Sequence, residues 1–349
     1  MAPLVSRLDK LAKPFLRAGR GHFVAAVLDT ALGGRVGGHQ TLRCTCGGNH
    51  SRNMRASTLE RPVYFVYRAG SRAWGSVRMR VFQLAAALRT VANNPRQVHV
   101  VTEEQLRRHP PMDSEVILSK YVLCEPNRSW FGELRGTGNI LTADVVDGSP
   151  LPGIENVVDR FLCASESEFL FRNRSQVPAV RLLHAVDSRF RVRHFERNRF
   201  LIGYFGPAGG AEHGSSLRDL KSRESRLSMS HWEALRASRE VKRWSHHYSV
   251  RVFFGEGVFK PATKAYVAAR FGGVFIGSKD DLESLLVFGD SYPYLAESSN
   301  LFDVEAVLSY AANTFETPVW DGAVRKMEGL REETCDLFLG AKLAEALKL

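Results

Sequence analysis

The chain has 349 residues, 44% of them hydrophobic and 24% charged, with a formal net charge of +11. That length exceeds what one core usually holds, so two domains are expected, and the balance excludes a disordered or fibrous class. No run approaches the ~18 apolar residues that span a bilayer, which excludes a membrane-spanning reading of the sequence.

The short apolar run FVAAVLD follows scattered charges and does not resemble a secretory signal. Five scattered cysteines, an odd number, form no disulfide framework and point to a reducing cytosol. Cys44, Cys46 and His50 lie close together, but CTCGGNH lacks a second ligand pair and no CxxC occurs, so a zinc site is the lesser expectation. Residues 1–61 hold ten Lys/Arg against three Asp/Glu, so most of the positive charge belongs to an N-terminal extension. Its opening places Leu4, Leu8, Leu11 and Phe15 at helical steps with basic residues between them. Residues 1–20 therefore read either as a helix docked on its own domain or as one lying on an anionic membrane surface. Few aromatics and no nucleic-acid motif make a nucleic-acid partner unexpected.

In chain order, a period-2 strand is expected over 61–67, bounded by Pro62 and Gly70. Apolar residues at helical spacing then predict a helix from Val77 to Val91, stopped by Asn93-Asn94-Pro95. Strands follow over 97–103, 115–122 and 140–146, and 159–173 reads as a strand entering a helix through Ser165. After a basic connector over 189–199 the pattern restarts, with a strand over 200–206 and a glycine-rich loop behind it. Residues 215–242 are polar and become helical toward their end; 249–254 reads as a strand, 258–272 as a turn and helix, and 273–278 as a strand. Helices are expected over 279–289 and 302–315, and the tail is mostly helical. Strands alternating with helices predict an α/β protein with parallel sheets.

Residues 258–273 read VFKPATKAYVAARFGG, with Lys260, Thr263 and Lys264 gathered at the head of a helix. The first N–H groups of a helix lack partners and its dipole is positive there, so two lysines at that end are mildly unfavourable unless an anion faces them. Pro261 suits a first turn, and Thr263 can donate a hydroxyl to a phosphate oxygen. An ordinary solvated turn is the competing reading. Arg251, inside an apolar strand, either pairs with an acid or reaches the same anion. His246 and His247 are candidate acid/base groups or solvated loop side chains. Nearer the N-terminus, Gly70, Ser71, Gly75 and Arg78 lie where an open α/β sheet places ligands, at the carboxyl end between strand and helix. Asp147 is a candidate base or an ordinary Asp-Gly turn. Asp187 orders the linker, and the arginine-rich stretch 181–199 suits an anionic acceptor or a membrane.

Four patterns in sequence order resemble the GT-B glycosyltransferases. These are the glycine loop Gly70…Gly75 opening a helix with VRMR, the segment DRFLCASES, the segment LLHAVDSRF, and FLIGYFG followed by glycines. FKPATKAYVAARFGGVFI resembles the donor-diphosphate turn and helix of a subset with a Lys-Pro-x-Thr-Lys pattern, and FGDSYPYL resembles a later segment of the same subset. The resemblance covers roughly residues 61–320. It implies an α/β fold of two Rossmann-like domains facing across a cleft. An N-terminal acceptor domain is expected at 61–190 and a nucleotide-sugar donor domain at 191–320, after a basic extension at 1–60 and before a helical tail at 321–349. It further implies transfer of a sugar from a nucleotide-sugar to a glycan or lipid-linked acceptor at the cytoplasmic membrane face, with no cofactor beyond the substrate. Arg251, Lys260, Thr263 and Lys264 would then hold the donor diphosphate, and Gly70, Ser71, Gly75 and Arg78 would line the cleft. No Asp-x-Asp metal site occurs, and no catalytic base is identified. Counting back from Gly272, Phe259 and Val267 stand where many retaining members carry two glutamates. That departure implies either a different handling of the donor or a catalytically silent binding subunit; an epimerase on the same fold is a third reading.

Overall fold

The structure, a computed structural model, describes residues 61–349 apart from 93, 95, 125–128, 148–152, 191–197, 208, 218–219, 225–228, 252–257 and 349. The basic segment 1–20, the Cys44, Cys46 and His50 group, residues 191–197 of the connector and residues 252–254 of the expected strand lie outside the described residues.

The first half runs β1 (Val63–Tyr67), a helical stretch over 75–90 (α1), β2 (Val98–Thr102), α2 (Glu103–Arg108) and β3 (Glu115–Ser119). It continues with α3 (Lys120–Leu123), α4 (Ser129–Gly136), β4 (Ile140–Asp144), β5 (Arg160–Cys163), α5 (Glu166–Arg172) and β6 (Ala179–Arg181). All its strands pair in parallel, in the order β2-β1-β3-β4-β5-β6. Parallel strands are covered on both faces, which is why VYFVY and EVILS are nearly unbroken apolar runs. The second half runs β7 (Ile202–Gly206), β8 (Lys221–Glu224), α6 (His231–Val241), β9 (His246–Tyr248), α7 (Thr263–Arg270) and β10 (Val274–Ser278). Then come α8 (Leu282–Phe288), β11 (Leu295–Ala296), α9 (Leu301–Asn313), α10 (Pro318–Glu333) and α11 (Asp336–Ala346). Its strands are also parallel, in the order β11-β10-β9-β7-β8.

One expected strand is displaced. The central strand β9 is His246–Tyr248, and residues 249–251 of the expected strand have no strand pairing. His246 and His247 are therefore buried strand residues rather than loop side chains. Burial pushes both imidazoles down to about 3, so both rings are neutral at physiological pH. A neutral imidazole is largely an apolar disc, and the ring of His246 packs among Phe200, Tyr294 and Phe315.

The middle of α1 is wound as a π-helix over Arg78–Gln83, and two polar side chains from this stretch turn inward. Arg80 meets Asp144 at the end of β4 with Nε–Oδ2 at 2.9 Å and both side chains 1% exposed. Its Nη1 donates to the carbonyls of Leu182 and Leu183 at 2.7 and 3.0 Å. Gln83 donates from Nε2 to the Val186 carbonyl at 2.8 Å, and its Oε1 accepts from the Ser188 amide at 3.1 Å. The two side chains thereby pin the segment that leaves the first half. Beyond that point Leu183, Val186 and Phe190 pack into the core of the second half.

Further contacts join the halves. Glu283 on α8 accepts from the amides of Glu166 and Ser167 at 3.0 and 2.9 Å, supplying the first turn of α5 with an acceptor. α11 returns to the first half, where Leu339 and Leu343 share a core with Leu84, Ala85 and Leu88 of α1. The helices approach closely enough that a Cβ on Gly340 would lie 2.7 Å from the Ala87 carbonyl oxygen.

Helix propensity alone favours Gly340→Ala by about 1 kcal/mol. The backbone contact reverses that sign: denaturant unfolding is expected to show a loss of ~1–3 kcal/mol, the cost of overpacking. Arg80→Met strands the Asp144 carboxylate and is expected to cost ~3–5 kcal/mol, whereas adding Asp144→Leu recovers most of that loss.

Candidate functional site

Open parallel sheets bind ligands at the carboxyl ends of their strands, where the strand order reverses. In the first sheet that point lies between β1 and β3, and in the second between β7 and β9. A cavity of about 360 Å³ opens there between the halves, with residues following β1, β3, β4 and β7 among its walls.

On the second-half side, α7 begins at Thr263 behind Ala262, which gives its first turn no side-chain cap. Its early amides thus lack the acceptor that Ser, Thr, Asp or Asn would supply, at a cost of about 1 kcal/mol. Lys260, Pro261, Thr263 and Lys264 all face the cavity. Lys264 lies with Nζ 4.6 Å from the centre of the Tyr204 ring. A Cβ on Gly206 would come within 2.9 Å of Lys264 Cε and collide with the Tyr204 hydroxyl, so glycine lets the end of β7 sit beside the lysine. Among the described residues no carboxylate lies within ion-pair distance of Lys264. Burial, then the nearby Arg251 and Lys260 charges, push it down to about 7. Lys260 is also lowered, first by burial and then by Arg251 and Lys120, against the pull of Asp147.

Arg251 has a different task. Its guanidinium binds Asp281 at 2.9 and 3.0 Å and donates to the carbonyls of Lys260 and Pro261 at 3.1 and 3.3 Å. The acid-pairing alternative holds: Arg251 braces the turn from behind instead of lining the cavity with the lysines. Phe259 is buried, its ring tilted against Phe171 of the first half with centroids 4.8 Å apart, while Val267 lines the cavity. The two positions at which many retaining glycosyltransferases carry glutamate are thus an apolar interdomain contact and an apolar wall.

On the first-half side, Gly75 reaches the cavity but Gly70, Ser71 and Arg78 do not. Ser71 is buried, with its hydroxyl donating to the Arg68 carbonyl at 2.7 Å. The wall is built instead from Trp74, Ser76 and Met79, together with Lys120 and Tyr121 directly after β3. Trp74 stands edge-on to Tyr121 at 4.4 Å. Lys120 Nζ lies 2.5 Å from Asp147 Oδ1. Burial works against the charge of each, but their mutual attraction outweighs it, leaving Lys120 raised and Asp147 lowered. Immediately before Asp147, Val146 adopts φ +62°, which a β-branched residue rarely does, and it too lines the cavity. Such strain costs ~1–3 kcal/mol and concentrates at functional sites.

His184 completes this wall. Its Nδ1 lies 2.9 Å from the Ala185 carbonyl, which can only accept, so Nδ1 carries the proton. Burial first, and Arg80 next, push the ring down to about 4, leaving it neutral at physiological pH. Asp187, two residues on from Ala185, holds Arg189 in the linker, and Arg189 also donates to the Met229 carbonyl of the second half. Sequence reading did not reach Trp74, Lys120, Tyr121 or His184. The available signal was positional: Lys120 is the first residue past a buried parallel strand beside the switch point.

No protein-family model matches the chain, and no curated protein matches it. Among solved structures, a glycosyltransferase from Rickettsia africae ESF-5 matches with a TM-score of 0.56 at 6% identity, over 83% of this chain and 98% of that one. The GtfA/B complex matches at TM-score 0.44 and 13% identity, over 68% of this chain and 57% of that one. The pneumococcal O-GlcNAc transferase GtfA in complex with UDP and GlcNAc matches at TM-score 0.45 and 12% identity, over 67% and 56%. The chain thus spans a little over half the length of these two proteins. The architecture is a GT-B-like α/β fold, two parallel-sheet halves with a cleft between them.

Proposed function

We propose that the chain is a glycosyltransferase that moves a sugar from a nucleotide-sugar to a glycan or lipid-linked acceptor. The observation that carries this reading is Lys264, half-buried at the uncapped start of α7, facing the cleft with no carboxylate partner among the described residues. A cation in that position beside a helix start without a side-chain cap is stabilised by an anion, and a diphosphate supplies several acceptor oxygens at once. In glycosyl transfer that diphosphate is the leaving group, so neutralising its developing charge lowers the barrier. Lys260, Lys264 and the helix terminus would supply positive charge to the leaving group, and Thr263 a hydroxyl donor, without a metal. Trp74, Ser76, Tyr121, Asp147 and His184 form the opposite, acceptor-facing wall. Residues 1–20, outside the described residues, are the proposed contact with an anionic cytoplasmic membrane face.

A silent binding subunit is the second reading, favoured by Phe259 and Val267 in place of the two glutamates. Thermal unfolding with UDP-, GDP-, dTDP- and CMP-linked ligands tests binding, and release of sugar from the donor separates the readings. A ligand at about 100 times its Kd is expected to add ~2.7 kcal/mol to the folded state. The stabilisation should be confined to one nucleotide class and vanish in the Lys260→Ala/Lys264→Ala variant. Absence of a shift with every nucleotide contradicts the donor site; a shift without sugar release leaves the silent subunit as the reading.

A further inference from the structure

We infer that His184 is the catalytic base, taking the acceptor hydroxyl proton on Nε2, so that transfer is a single displacement with inversion at the anomeric carbon. The inference rests on the donor-site reading above and adds the proton acceptor that reading lacks.

Three observations converge on the residue. First, the ring lines the same cavity as Lys260, Thr263 and Lys264, on the opposite wall. His184 is as buried as His247, each 3% exposed, but neither His246 nor His247 lines any part of that cavity. Second, its proton inventory suits the task. Nδ1–H is spent on the Ala185 carbonyl at 2.9 Å, which leaves the lone pair on Nε2. The ring is uncharged before reaction; burial, Arg80 and Lys120 oppose the charged ring that reaction would create, and the Ala185 carbonyl and the Asp147 carboxylate offset part of that. Asp147 itself is the weaker candidate, because Lys120 already holds its Oδ1 at 2.5 Å and keeps it below the usual carboxylate range.

Third, the main chain on both sides of His184 is fixed by side chains from one element. Arg80 binds the carbonyls of Leu182 and Leu183 just before it, and Gln83 binds the Val186 carbonyl two residues after it. Both come from the π-helical stretch of α1, and π-helical turns inside α-helices frequently occur at functional sites. A base must be held in place to be effective, and this segment has little freedom to move.

A lone pair of the acceptor oxygen forms the new bond to the anomeric carbon as its O–H proton passes to His184 Nε2. The bond from the anomeric carbon to the diphosphate oxygen breaks, and its electron pair leaves with the nucleoside diphosphate, facing Lys264 and the start of α7. The imidazolium then returns its proton to solvent.

The acceptor is unidentified, so the test uses water in its place. Wild type, His184→Gln and His184→Ala are each incubated with the nucleotide-sugar that shifts thermal unfolding. Sugar release is followed by NMR, which reads the anomer before mutarotation. The expected result is an unchanged nucleotide-induced shift in all three proteins, inverted sugar from wild type, and release slowed ~10²–10⁴-fold in both variants. Added imidazole should restore part of the rate in His184→Ala but not in His184→Gln. Release by His184→Gln within about tenfold of wild type overturns the assignment, as does a retained anomer. A wild type that binds nucleotide yet releases no sugar also overturns it. A wild type without any nucleotide shift overturns the donor site and this inference together, and the binding readout tells that case apart.

Discussion

A buried ion pair organises the first-half wall of the cleft. Arg80 and Asp144 are both 1% exposed, and each alone would be a severe liability in that position. Together they are offset, and the remaining guanidinium hydrogens go to the carbonyls of Leu182 and Leu183. One side chain thus joins α1, the end of β4 and the segment that leaves the sheet. The positions of Asp147, three residues past Asp144, and of His184, one past Leu183, follow from that anchorage.

The opposite wall shows how the fold separates cations that build from cations that wait. Arg251 and Arg189 have their charge matched by Asp281 and Asp187 and spend further hydrogens on nearby carbonyls. They hold the turn ahead of α7 and the linker between halves. Lys264 has an aromatic face and no acid within ion-pair distance among the described residues. Burial of an unmatched cation is unfavourable, and it persists where the surrounding structure enforces it. The enforcement here is visible in Gly206, in Arg251 behind the turn, and in the apolar wall that includes Val267.

Much of the architecture was legible in the sequence because parallel strands write themselves as apolar runs bounded by breakers. β1, β4, β7 and β10 fall inside their expected stretches, and Ser165 caps α5 as its position suggested. β9 was misplaced because SHHYS looks polar until burial neutralises the imidazoles. The short elements α2, α4, β8 and β11 carry too few residues for a period to register. The site was legible on one side only. Lys260, Thr263 and Lys264 form a local pattern, whereas Arg251 finds its acid thirty residues on, at Asp281. The first-half wall of the cleft is assembled from residues following β1, β3 and β4 and from the end of the half. No local spacing could connect Trp74, Lys120, Asp147 and His184; only the strand order does.

On the proposed donor-site reading, the half-buried Lys264 is neutral in part around pH ~7 and a diphosphate recharges it. Because its folded value lies below the usual lysine range, anion binding must draw a proton from solvent at mildly alkaline pH. The direct measurement is calorimetric titration with UDP and GDP at a pH slightly above 7, in buffers of different ionisation enthalpy. The account expects binding of one nucleotide with net proton uptake, and loss of that uptake in Lys264→Met. Binding without proton uptake, or uptake that survives in Lys264→Met, would contradict it.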